Sequence, residues 1–273
     1  AGFMLVGAYA SALFTKNVGM ALPISFPISL VLAGLLAALF GVIIGIPALR
    51  LRGDYLAIIT LGFGEIIRVL ANADFLKPIT NGAMGLGDIP TLYNRRTSPA
   101  GLFVYAFIIM VLVIVINFSF GRSRHGRAVI AIREDEIAAE SAGVNTTYYK
   151  LFAFVLAAFI AGVAGGLYAN QIQVIDPAKF DFNRSVEILI MVVLGGMGSI
   201  TGSIISATVL TVLPEMLRGF DEYRMLLYSI ILIAVMLFKP SGLLGRYEIS
   251  VPGLFMKLWN KLKHPKQKTT GEA

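Results

Sequence analysis

The chain repeatedly runs apolar for about as long as a helix needs to cross a bilayer, and this constrains its fold more than any motif. A spanning helix takes about 20 residues, rising about 1.5 Å each, to cover a hydrocarbon core of about 30 Å. Stretches of this kind are read at 1–15, 28–48, 55–73, 100–119, 150–170, 186–213 and 225–239. Inside lipid no water bonds the backbone N–H and C=O groups, so each stretch must close its own hydrogen bonds as a helix. The expected fold is all-α, a polytopic α-helical integral membrane protein. Hydrophobic residues make up 57% of the chain and charged ones 14%, against about 25% charged in a soluble domain.

Two of these stretches are irregular. Residues 1–15 are short for a crossing and lack the basic start and Ala-x-Ala site of a secretory signal. They are read as a first span whose natural N-terminal part is missing, with further spans upstream left open. Segment 186–213 is too long, about 42 Å as one helix. Its middle, Gly195-Gly196-Met197-Gly198-Ser199, is the kind of sequence that interrupts a helix. Two half-helices that enter and return on one side account for both facts, so the fold is expected to contain a broken, re-entrant element.

Charge tests that topology. If 186–213 returns to its own side, loop 49–54, loop 120–150 and tail 239–273 share a face and carry two, five and seven Lys/Arg. The opposite loops carry eight, and Arg68 lies within a span. The excess marks the first face as cytoplasmic. The net charge of +7 is thereby explained by topology, and no nucleic-acid partner is expected. The chain is expected to divide into a membrane domain at 1–245 and a cytoplasmic tail at 246–273. Within the tail, Leu254, Phe255, Leu258, Trp259 and Leu262 oppose Lys257, Lys261 and Lys263, which fits an amphipathic helix lying on lipid. Residues 264–273 are polar and expected to be disordered.

Residues 120–149 are a charged loop between two spans. A short helix is expected over 127–142, with Gly126 breaking the lead-in and Gly143 taking the left-handed conformation that closes it. Such a helix either docks on a partner or is a solvated loop that only sets topology. The residues also resemble a family. Arg133-Glu134-Asp135-Glu136, then Ala138-Ala139, then Gly143, is similar to the cytoplasmic coupling loop of ABC importer permeases. Ile137 stands where that pattern has Glu, and the Ile-x-Leu-Pro that often follows is absent.

Further stretches extend the resemblance to the branched-chain amino acid permeases of the LivM type. They are Arg52 to Arg68, the Gly-rich loop Thr80 to Pro90, Gly195 to Gly202 and the ending Phe238 to Gly245. Ser203 and Ser206 depart from the late glycine pattern. The resemblance implies an importer subunit in the bacterial inner membrane. It would pair with a second, LivH-type permease, two cytoplasmic ATP-binding subunits and a periplasmic binding protein. The coupling residues would be Arg133, Glu134, Asp135, Glu136, Ala138, Ala139 and Gly143.

Ionisable residues in spans are costly and mark function more often than packing residues do. Glu65 and Arg68 lie three apart, share a helix face and can pair; Glu187 opens the broken segment. The plainer reading has all three near a polar interface, reaching out to it. Candidates for a translocation path are Thr60, Gly62, Gly64 and Glu65, with Gly195, Gly196, Gly198 and Ser199 at the break. The glycines equally suit close helix packing, which in lipid replaces the hydrophobic drive. No Gly-x-x-x-x-Gly-Lys-[Ser/Thr] occurs, so the ATP site is expected on a partner. There is no cysteine, neither His has metal-ligand spacing, and no cofactor is expected. The alternative substrates are urea, amides or a sugar. The alternative class is a self-sufficient secondary transporter or channel, which usually carries an internal repeat that is not evident here.

Overall fold

In the computed structural model the described residues are 1–18, 21–49, 54–91, 99–217, 229–230, 233, 237–238 and 242. Among them the chain is helical with no strand, only an isolated bridge between Leu86 and Ile175. It divides into two compact units, 1–185 and 186–273. Four helices are long and apolar enough to cross a membrane, and the protein is a multi-pass membrane protein.

The first unit is built on three helices: α1 (Gly2–Asn17), α2 (Leu22–Ala48) and α8 (Thr146–Ile172). Helix α1 runs beside α8, and α2 runs against both. Missing side chains make this possible. A Cβ on Gly7 would lie 2.2 Å from the Gly162 carbonyl oxygen, and one on Gly165 would lie 1.9 Å from that of Met4. On α2, Gly34 meets the Phe159 ring and Gly41 meets Ala158. The residues expected as a short first span are thus the most enclosed helix of the unit, with Leu5, Ala8, Ser11 and Ala12 fully buried. A polar pin crosses the three helices. Ser11 Oγ and Ser29 Oγ lie 2.9 Å apart, and Asn170 Nδ2 donates to Ser11 Oγ at 3.1 Å. Such interhelical bonds average about 0.6 kcal/mol in membranes, so they fix register more than they add stability.

Helix α3 (Asp54–Asn72) packs on α1, where a Cβ on Gly2 would lie 2.6 Å from Gly64 Cα. After it come α4 (Lys77–Thr80) and a 3-10 turn at Gly82–Met84. Helix α5 (Pro99–Arg122) exposes most of its large apolar residues, among them Phe103, Phe107, Leu112 and Val115. The ends of α1 and α8 and the loop after α4 meet at one pole. There Lys16 Nζ donates to the Gly87 carbonyl at 3.2 Å, and the Leu86 and Ile175 backbones bond at 3.0 and 2.9 Å. At the start of α9 (Phe182–Gly195), Asp181 accepts hydrogen bonds from the Arg184 N–H and the Asn183 side chain, both at 2.9 Å. The Arg184 bond first, helped by Asn183 and the Arg68 charge, holds its carboxyl below the usual carboxylate range.

Helices outrun the apolar stretches that announced them. Helix α2 starts at Leu22, six residues before 28, because Pro23 costs nothing in a first turn whose N–H groups have no helical acceptor. Helix α8 starts at Thr146, where the Asn145 side chain accepts the Tyr148 N–H at 3.0 Å. Hydropathy marks the lipid depth; the cap marks the helix end.

In the second unit the long segment is interrupted as expected. Helix α9 (Phe182–Gly195) and helix α10 (Ile200–Met216) are separated by a turn with Gly196 at φ 107° and Gly198 at φ 98°. Ser199 caps α10 by accepting the Gly202 N–H at 3.0 Å. The two helices double back on each other: a Cβ on Gly195 would lie 2.5 Å from the Gly202 backbone, and Ser206 Oγ donates to the Met191 carbonyl. The expected span 225–239 lies outside the described residues except at 229–230, 233 and 237–238, which are helical. The expected amphipathic helix at 252–262 and the tail 264–273 lie outside them entirely.

Candidate functional site

The charged loop folds into a helical hairpin of two short helices where one was expected. Helix α6 is Arg124–Glu134 and helix α7 is Glu136–Ser141. Asp135 separates them with an extended backbone, φ −155°, and its Oδ1 accepts the Ile137 and Ala138 N–H groups at 2.9 and 3.0 Å. A carboxylate that caps the next helix cannot also continue the last one, which is why the single helix 127–142 is corrected. Gly126 is corrected too. It lies inside α6, whose cap is Ser123, and it is glycine because a Cβ there would come 2.0 Å from the Phe120 carbonyl oxygen.

Gly143 behaves as expected, with φ +81° and no neighbour within 4 Å of an added Cβ. Its left-handed turn lets Val144 N–H reach the Ala139 carbonyl at 3.0 Å, the closure of a Schellman motif. The hairpin is then tied to α8. Glu136 pairs with Lys150 at 2.6 Å, and Glu140 accepts from Thr146 Oγ1 at 3.0 Å. His125 lies against Tyr149 and Phe152, with ring centroids 5.8 and 5.7 Å away. Ile132 and Ala139 are buried beneath it.

What the hairpin leaves outside is mixed in character. Arg133 and Glu134 pair at 2.5 Å on its exposed side, an arrangement worth little in water. Ile137 is 71% exposed on α7. An ordered acidic and basic ridge around one apolar knob can seat in a complementary groove. Of the residues named from sequence, Arg133, Glu134, Asp135, Glu136, Ala138, Ala139 and Gly143 all fall on this hairpin. Ala139 faces inward and Asp135 serves as a cap. Replacing Asp135 with alanine is expected to cost α7 about 1 kcal/mol, read as faster amide exchange over 136–141 with the spans unchanged. Unaltered protection there would show that the cap is dispensable.

The second group of candidates sits on α3. Thr60 Oγ1 donates back to the Leu56 and Ala57 carbonyls, both at 3.0 Å. Gly62 faces open space, whereas Gly64 serves the contact with Gly2. Glu65 and Arg68 do pair: Nη2 and Nε of Arg68 lie 2.7 and 2.8 Å from Glu65 Oε2, with both side chains about a third exposed. Gly195, Gly196, Gly198 and Ser199 form the α9–α10 turn. Sequence reasoning missed that Gly242, φ +87°, packs on this turn, its added Cβ falling 2.5 Å from Gly196. The recurrence of glycine in both motifs was the available signal.

The chain matches the family described as branched-chain amino acid transport system, permease component, over residues 1–237. It is 39% identical over 269 residues to the high-affinity branched-chain amino acid transport system permease protein LivM of Salmonella typhimurium, and equally to that of Escherichia coli K12. Each alignment covers 89% of this chain and 62% of the relative, so the chain spans under two thirds of those relatives' length. The permease protein LivH of Escherichia coli K12 is 30% identical over 203 residues, 67% of this chain and 64% of that protein. No solved structure matches the chain.

Proposed function

Because the chain belongs to the family of branched-chain amino acid transport permease components, we propose that it is a permease subunit of an ABC importer. Its cargo would be branched-chain amino acids, carried across the bacterial inner membrane. Members of this family are transport components rather than enzymes; ATP would be hydrolysed by partner subunits. The single observation that carries this reading is the α6–α7 hairpin, rigidly capped at Ser123, Asp135 and Gly143 and presenting Ile137 outward. A loop that only set topology would need neither the caps nor the ties to α8. In the proposed role the hairpin seats in a groove of the ATPase, and Arg133, Glu134 and Glu136 set its register. The similarity to both LivM and LivH relatives supports pairing with a second permease. A periplasmic binding protein would deliver the amino acid, and Thr60, Glu65 and the α9–α10 turn would border its path. The membrane domain would run over 1–245, with 246–273 a cytoplasmic tail.

Purifying the native complex by a tag on this chain tests the reading. A second permease, two ATP-binding subunits and a substrate-binding protein are the expected companions. A chain that purifies alone and still transports would be a secondary carrier instead.

Orientation has its own test. If the doubled-back α9–α10 pair returns to one side, residues 171–184 and 214–223 would both face the periplasm, 218–223 lying outside the described residues. The chain has no native cysteine, so Glu215→Cys supplies a single thiol. An impermeant maleimide is expected to label it in intact cells. Labelling only after the inner face is opened would mean that the pair crosses the membrane once.

A further inference from the structure

At the pole opposite the hairpin lies an open cavity of about 520 Å³ whose chemistry the transport reading does not assign. Three charged groups border it: Lys16 on the last turn of α1, Lys77 at the start of α4, and Asp88 in the loop beyond. The two signs share one cavity without neutralising each other. Among the described residues neither lysine has a carboxylate within ion-pair distance, and Asp88 has no cation within it. The rest of the lining is mixed: Asn81 and the backbone of Gly85 and Gly87 lie beside the aliphatic side chains of Ile79, Met84 and Val174, which are all exposed, Met84 at 85%.

The loop that carries these groups is held in place. Asn81 and Asp88, at φ 62° and 57°, sit in the left-handed region that non-glycine residues rarely occupy. Asn81 Nδ2 donates to the Gly85 carbonyl at 2.8 Å. Gly85 must be glycine, since a Cβ there would lie 2.5 Å from the Ile175 carbonyl oxygen. Lys16 spends one of its three N–H donors on Gly87, which positions its charge and leaves two donors for a ligand. Backbone strain maintained by several contacts is more often met at binding sites than elsewhere.

We infer that this cavity is a capture site for an amino acid with an aliphatic side chain. Lys16 and Lys77 would take the α-carboxylate, Asp88 the α-ammonium, and the Ile79, Met84 and Val174 wall the side chain. A ligand carrying both signs satisfies groups held too far apart to satisfy one another. The charges are solvated, so each contact is weak, and binding falls in the millimolar range. That suits a mouth that must release what it takes. Placing this mouth on the outer side rests on the transport reading; the binding chemistry does not.

The test is ligand-observed NMR titration of the purified full chain with L-leucine, L-leucinamide and 4-methylpentanoate. Leucine is expected to bind in the millimolar range, and the analogues lacking the carboxylate or the ammonium at least tenfold more weakly. Lys16→Gln with Lys77→Gln, and separately Asp88→Asn, should each weaken leucine at least fivefold with thermal melting unchanged. Lys77→Gln alone guards the result, because among the described residues the Lys77 side chain makes no hydrogen bond or ion pair and its carbonyl bond to the Asn81 N–H survives the change; it should weaken leucine at least twofold. Leucine binding indifferent to all three variants would overturn the inference. So would 4-methylpentanoate binding as tightly as leucine, which would make the lysines a general anion patch. Variants that impair only uptake driven by the binding protein, with leucine binding intact, would overturn it in favour of a protein-docking surface. Leucine bound here by a complex that cannot transport it would sink the transport reading alone; transport without binding here would sink this inference alone.

Discussion

Replacing Gly165 with valine is expected to cut the folded chain recovered from membranes by tenfold or more. The added Cβ would fall 1.9 Å from the Met4 carbonyl oxygen and 2.7 Å from its carbon. Those are backbone atoms of the most enclosed helix, so α1 itself must move. Overpacking a core costs about 1–3 kcal/mol and sometimes more, and each 1.4 kcal/mol is about tenfold in the folded fraction. Moving α1 would also loosen the Ser11, Ser29 and Asn170 pin. Gly62→Ala is the control, because nothing lies within 4 Å of the added atom; its yield should match the parent. Recovery in mild detergent, followed by size-exclusion profile and melting, reads both. A parent-like Gly165→Val would mean that the α1–α8 contact is not what holds the unit.

Gly143→Val should act differently, lowering leucine uptake about tenfold at an unchanged amount of chain in the membrane. The position has φ +81° and open surroundings, so valine meets backbone strain with no clash. Holding such a residue in the left-handed region costs about 1–3 kcal/mol, and the hairpin relieves it by unwinding the last turn of α7. The Val144 to Ala139 closure is lost and Ile137 is no longer presented. Asn tolerates the left-handed region far better than valine, so Gly143→Asn should restore most uptake. Uptake is normalised to membrane-inserted chain by immunoblot. Normal uptake with valine would remove the hairpin from energy coupling.

These two glycines show what the sequence made legible and what it hid. Gly143 could be read locally: a glycine after a run of helix formers closes a helix, and the structure places it at that end. The apolar stretches likewise announced helices, because the bilayer enforces length and backbone satisfaction segment by segment. The role of Gly165 could not be read, since its partner is Met4, over a hundred and fifty residues away. The same limit explains the hairpin. Asp135 looked like one more charge in a helix, yet its side chain ends one helix by starting another, a choice that depends on where α7 must go to bury Ala139. Lys16, Lys77 and Asp88 were invisible as a group because they come from separate segments brought together at one pole. Gly195 to Ser199 was recognised as a break from composition alone, while its contact with Gly242 required the fold.

The most direct test of the central claim is radiolabelled leucine uptake into proteoliposomes. They would hold the co-purified complex, with binding protein supplied on one side and nucleotide on the other. Uptake is expected only with hydrolysable ATP, suppressed by excess isoleucine or valine, and indifferent to collapse of proton and sodium gradients. Leucine entry that follows an ion gradient and ignores ATP would contradict it.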